Sequence, residues 1–150
     1  MTGRGFRFGV NLLTPSSRTA WQARCREAED LGYDVIAVPD HLGLPAPFPA
    51  IVSAAEITTR PRLAVFVLNA GFYNPALLAR DLAGTDQLVD GRLEVALGAG
   101  YVKAEFDAAA CPGPARATVS TTWNAQCGRC AACSLIRGIN RGRSRVRCRR

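Results

Sequence analysis

Strict alternation of short, wholly apolar runs with helix-like segments constrains this chain more than any other feature. It is clearest over residues 68–106, LNAGFYNPALLARDLAGTDQLVDGRLEVALGAGYVKAEF. That stretch reads as a strand end, a helix, a glycine-capped turn, a buried strand and a glycine-rich strand exit. Such an order belongs to a parallel β/α fold, whose ligand sits beyond the carboxyl ends of its strands.

The same unit recurs upstream. Residues 6–12 (FRFGVNL) form a short run of β-formers, a first strand. A turn follows at Thr14-Pro15-Ser16-Ser17, and either serine suits the cap of the next helix. Trp21, Cys25 or Arg24, Ala28 and Leu31 recur at helical spacing, with Gly32 as the stop. Residues 34–38 (DVIAV) are a second strand, apolar almost throughout, as expected when both faces are covered. The Pro-rich residues 44–49 read as a loop, residues 50–59 as a helix and residues 63–68 (LAVFVL) as a third strand. Pro75 opens a helix along which Leu78, Leu82 and Val89 share a face. Gly91 ends it, and residues 93–97 (LEVAL) are the fourth strand. Four strands and three helices therefore alternate, and helical crossovers require parallel pairing.

Two α/β architectures accommodate this order, an open doubly wound sheet and a (β/α)8 TIM barrel, and periodicity does not separate them. A dinucleotide fingerprint wants G-x-G-x-x-G directly after a first strand. Gly98-Ala99-Gly100 instead follows the fourth, with no third glycine in register. A barrel takes about 250 residues, so a chain of 150 would hold only its first half, about four β/α units.

Charge divides the chain in two. Residues 1–110 carry nine Arg, one Lys and twelve acids, a net of −2, whereas residues 111–150 carry nine Arg and no acid, a net of +9. The overall +7 is thus a property of the tail, and a basic-protein reading of the whole is excluded. Cysteine follows the same division. Cys25 lies in the first part, while Cys111, Cys127, Cys130, Cys133 and Cys148 crowd the tail. No charged-then-apolar leader opens the chain and no apolar run approaches about 20 residues. The expectation is a cytoplasmic protein with reduced thiols and no membrane partner.

The segments VIAVPDH and residues 68–106 closely resemble the N-terminal half of the luciferase-like monooxygenases, most of all their deazaflavin-dependent oxidoreductases. The likeness runs from about Phe6 to Ala109, in several segments that agree in order and spacing. It implies the first half of a (β/α)8 barrel that binds coenzyme F420, or alternatively FMN, at the strands' C-terminal ends. It also implies hydride transfer or oxygen insertion on a small organic substrate. By the same resemblance Asp40 and His41 are catalytic candidates, the histidine facing the ring to bond the substrate or move its proton. A loop aspartate capping the next helix and a histidine that only packs is the plainer alternative. Asn69, Ala70 and Gly71, with a strained bulge, and Gly98, Ala99 and Gly100 are the implied bed of the ring, glycine permitting unusual dihedrals and close approach. The plainer alternative there is a turn and a flexible strand exit. Glu105 matches an acidic family position but reads as a solvated carboxylate at a helix start, without chemistry.

After residue 110 the resemblance stops. The Arg-, Ala-, Cys- and Ser-rich tail lacks amphipathic period, and one lysine against eighteen arginines points to a G+C-rich gene. A frameshifted or truncated reading is expected: a barrel half over 1–110, then an irregular basic tail over 111–150. Cys127-x2-Cys130-x2-Cys133, with Cys148 distant, fits neither zinc-finger nor ferredoxin spacing, so no metal site is expected. The Arg-rich end lacks interleaved aromatics, which argues against nucleic acid. Such a chain is expected to turn over little or not at all. Its open edges leave a half-barrel association module, binding itself or a full-length relative, as the alternative function, and a metal- or nucleic-acid-binding tail as the less favoured one.

Overall fold

The computed structural model describes residues 5–13 and 17–111. The tail cysteines from Cys127 onward, the Arg-rich end and the proposed change of reading frame lie outside them. The elements are β1 (Gly9–Asn11), α1 (Arg18–Asp30), β2 (Val35–Val38), α2 (Pro47–Ala55), β3 (Arg62–Asn69), a 3-10 turn (Ala70–Phe72), α3 (Pro75–Leu88), β4 (Leu93–Gly98) and α4 (Lys103–Ala108).

Local chemistry accounts for most boundaries. Ser17 caps α1, its hydroxyl accepting from the Ala20 N–H. The Asn74 side chain accepts from the Ala76 and Leu77 N–H groups ahead of Pro75, whose ring sits where a helix has no use for an N–H. Two expectations are corrected. Residues 47–49 are not loop: α2 starts at Pro47 and ends at Ala55, because Pro47 and Pro49 both fall in the first turn, where proline costs no hydrogen bond. Leu31 is not on the core stripe of α1. It occupies the C-cap and is 70% exposed, while Trp21, Cys25 and Ala28 are buried. Gly32, at φ 88°, then takes the left-handed conformation that reverses the chain into β2.

The four strands are all parallel in the order β1-β2-β3-β4. A doubly wound sheet reverses its strand order at a switch point, and this one does not. One core lies between the sheet and α1–α3. Ile36, Val38, Leu63, Val65, Leu68 and Leu93 from the strands meet Trp21, Cys25, Ile51, Ala54, Leu78, Leu82 and Val89. Burial pushes the Cys25 thiol up to about 12, so it packs as an apolar side chain. The Trp21 indole N–H donates to the Ala50 carbonyl at 3.1 Å and joins α1 to α2.

The opposite face of the sheet is concave. Arg7, just ahead of the edge strand β1, reaches Glu94 on the other edge strand at 3.1 Å, and Arg62 of β3 meets the same carboxylate oxygen at 3.1 Å. Such a contact between the two edges requires a strongly curled sheet. Within β3 the register to β4 shifts between Val65 and Leu68, around a cis Phe66–Val67 peptide. The irregularity expected after the third strand therefore lies inside it. Phe66 and Val67 there are 58% and 39% exposed, outside the helix-facing core.

Candidate functional site

The residues that follow β2, β3 and β4 converge at the C-terminal end of the sheet. The Asp40 carboxylate, only 9% exposed, accepts from the Asn69 N–H at 2.9 Å through Oδ2 and from the Tyr73 hydroxyl at 3.5 Å through Oδ1. Asp40 thus ties the end of β2 to the end of β3. Burial raises its pKa above the ordinary carboxylate value, and the Asn69 N–H, the Tyr73 hydroxyl and His41 offset part of the rise. Burial, with the adjacent Asp40, pushes the Tyr73 phenol up in turn.

His41, next in the chain, points the other way. Its Nδ1 lies 2.9 Å from Glu105 Oε1, and Tyr101 stands edge-on to the imidazole with ring centroids 6.2 Å apart. An ionised carboxylate only accepts, so Nδ1 carries the proton and Nε2 is the nitrogen left for another partner. The histidine side chain is 37% exposed and the glutamate 15%. Glu105 is therefore not a solvated helix-start carboxylate. It does lie in the first turn of α4, but that turn folds back over the strand ends and holds His41.

Three glycines make this fold-back possible. A Cβ on Gly71 would stand 2.7 Å from the Phe106 ring, and one on Gly100 would stand 2.5 Å from the Asn69 amide and 2.7 Å from Phe106. Gly100 also has φ 75°, where an L side chain is strained, whereas Gly71 does not take a left-handed φ. A Cβ on Gly98 would meet Val67 at 2.6 Å. The space these glycines leave is thus filled by Phe106, Asn69 and Val67. Phe106, 1% exposed, packs on Phe72 with centroids 5.1 Å apart and seals the end of the core. Ala70 is buried beneath, Ala99 half-buried, and the Asn69 side chain accepts from the Gly71 N–H at 3.1 Å.

All eight sequence candidates therefore sit around one rim: Asp40, His41, Asn69, Ala70, Gly71, Gly98, Ala99 and Gly100. Sequence reasoning passed over Tyr73, Tyr101 and Phe106 and gave Glu105 no part. Phe106 had a readable signal, as the last apolar residue of the informative stretch. The Glu105 pairing had none, since it spans 64 positions. Tyr101, edge-on to His41, and Phe66 and Val67 of β3 are exposed apolar side chains, and His41 Nε2 has no hydrogen-bond partner among the described residues. Those groups fit a flavin-type ring.

Comparison with known proteins gives this rim a family. The model of the luciferase-like monooxygenases matches residues 5–121, most of the chain and somewhat beyond the change in composition at residue 110. The 5,10-methylenetetrahydromethanopterin reductase of Methanopyrus kandleri is 28% identical over 117 residues, 78% of this chain and 32% of that protein. Among solved structures, the coenzyme F420-dependent tetrahydromethanopterin reductase of M. kandleri superposes with a TM-score of 0.64 at 28% identity, covering 71% of this chain and 30% of its own. The oxygenating constituent of 3,6-diketocamphane monooxygenase from Pseudomonas putida, in complex with FMN, superposes with a TM-score of 0.66 at 19% identity. It covers 77% of this chain and 37% of its own. The chain thus spans about a third of the length of these relatives, and its sheet is a partial barrel. Among the described residues no helix is long and apolar enough to cross a membrane. The chain belongs to the luciferase-like monooxygenase family.

Proposed function

We propose that this member of the luciferase-like monooxygenases carries the histidine-bearing rim of a deazaflavin- or flavin-dependent oxidoreductase acting on a small organic substrate. Coenzyme F420 is the preferred cofactor and FMN the alternative. The observation that carries the reading is the His41–Glu105 pair, held at 2.9 Å at the C-terminal end of the sheet with Nε2 left for a ligand. The preference for F420 rests on the likeness to the coenzyme F420-dependent reductase of M. kandleri, and the FMN alternative on the diketocamphane enzyme, whose structure holds FMN.

When bound, such a ring supplies or accepts the hydride. The chain's own residues do the rest. Glu105 fixes His41 in the Nδ1–H tautomer, so Nε2 accepts a proton from a bound alcohol or amine and, once charged, returns it. Asp40 makes no proton transfer in this scheme: both its oxygens are engaged, and it holds β2 against β3 so that His41 keeps its place. Phe66, Val67 and Tyr101 are the exposed apolar side chains that would line the ring's site and exclude water from it. Asn69 to Gly71 and Gly98 to Gly100 shape the bed indirectly, by letting α4 close down. A cytoplasmic setting, where thiols stay reduced, goes with this reading.

Fluorescence titration of the 150-residue chain with F420, in parallel with FMN, tests the reading. Saturable but weak F420 binding is expected, at least threefold weaker again in His41→Ala, with little or no turnover by the chain alone. Absence of binding by either cofactor would remove the proposal. Turnover at the level of complete relatives would contradict the expectation of inactivity.

A further inference from the structure

Among the described residues the sheet has two unpartnered edges, β1 and β4, and a concave face that no helix covers. Apolar side chains stand open at both: Phe6 and Phe8 beside β1 are 93% and 67% exposed, and Phe66 on β3 is 58% exposed. Alternation along β3 sends Leu63 and Val65 to the helices and Arg62, Ala64 and Phe66 to the concave side.

We propose that a second copy of this chain closes the barrel. The copy is related by a half-turn about the axis of curvature, so that β4 of each copy pairs in parallel with β1 of the other. Three observations support that occupant. The strands are parallel and run in chain order, so β1 of a copy continues the series where β4 leaves off, and two sets of four give the eight strands of a closed barrel. A half-turn forms both junctions at once and leaves no edge, giving a closed pair rather than an open filament. The sheet is also curled enough: Arg7 beside one edge already touches Glu94 on the other.

Charge supplies a further argument. The β1 edge presents Arg7, 48% exposed, and the β4 edge presents Glu94, 37% exposed. Both guanidinium contacts to Glu94 go to Oε1, which leaves Oε2 for the Arg7 of the other copy. Because all strands are parallel, the dimer carries two His41–Glu105 pairs around one mouth.

Sedimentation velocity of the 150-residue chain over a concentration series tests this. The wild type is expected to pass from monomer to dimer and no further. Arg7→Glu and Glu94→Arg each set like charges against one another at both junctions and are expected to weaken the dimer about tenfold or more. An equimolar mixture of the two variants sets opposite charges at both junctions. It is expected to recover dimer to within about threefold of wild type. The lost contact within each chain is not restored by mixing, so recovery reports the contact between chains. A wild type that stays monomeric, as when residues 112–150 or another protein cover the edges, overturns the proposal. So does assembly without limit, or a mixture as weak as its components.

Discussion

At the N-terminal end of the sheet, arginine and carboxylate side chains close the loops; at the C-terminal end, glycines and one phenylalanine do. Arg92 donates to the carbonyls of Ala55, Pro61 and Val89 and to the Thr58 hydroxyl, binding the end of α2 to the turn before β4. Arg62 donates to the Gly91 and Leu93 carbonyls. One Glu29 oxygen accepts from the Thr59 and Arg60 N–H groups, and Asp86 accepts from the Leu93 N–H. Long polar side chains there satisfy backbone groups that short connections leave unpaired. At the opposite rim His41 Nε2 has no hydrogen-bond partner among the described residues. In a barrel of parallel strands the first end supports stability and the second carries chemistry.

Phe106→Ala gives the sharpest break in that contrast, because it places a stability role on the chemical rim. Removing a ring that is 1% exposed is expected to cost about 3–5 kcal/mol in urea unfolding. A loss under about 1 kcal/mol would show that α4 does not seal the core. Arg92→Ala comes next, at about 2–3 kcal/mol from lost charge-assisted hydrogen bonds, with the His41 NMR signals unmoved. Movement of those signals would mean the two ends are coupled.

Asp40→Asn sharpens the comparison through pH. Burial raises the folded-state pKa of Asp40, so its contribution is fully present below its ordinary value of 3.8 and is lost as pH rises through the raised value. Unfolding midpoints of wild type are therefore expected to fall relative to those of Asp40→Asn across that window. Parallel curves would show that the carboxylate is not buried as described. The smallest effect belongs to Glu105→Gln, a partly exposed pair expected to change stability by less than about 1 kcal/mol. It should nevertheless shift His41 toward a mixture of tautomers in 15N spectra, and an unchanged tautomer would deny Glu105 its positioning role.

The strand–helix alternation was legible because β2 and residues 63–68 of β3 are unbroken apolar runs and β4 is interrupted only by Glu94 ahead of its final glycine. The strand order was not legible in periodicity, which carries no information about which edges stay open; the choice of a barrel over a doubly wound sheet came from the family resemblance, and the parallel β1-β2-β3-β4 order bears it out. The start of α2 was misread because proline signals a loop unless its place in the first turn is known. The short α4 offered too few residues for a period. At the rim, the positions of Asp40, His41 and the glycines were readable from where they follow the strands. Their reasons were not: Gly71 is small for Phe106, and Asp40 faces Asn69 and Tyr73, contacts that exist only once distant segments are folded together.

His41 is the only histidine in the chain, so its imidazole nitrogens need no assignment. The most direct test of the account is a 15N spectrum of that ring during titration with F420. An Nδ1–H tautomer is expected in the free protein, with a shift confined mainly to Nε2 as the cofactor is added. An Nε2–H tautomer, or cofactor binding that leaves both nitrogens unmoved, would contradict it.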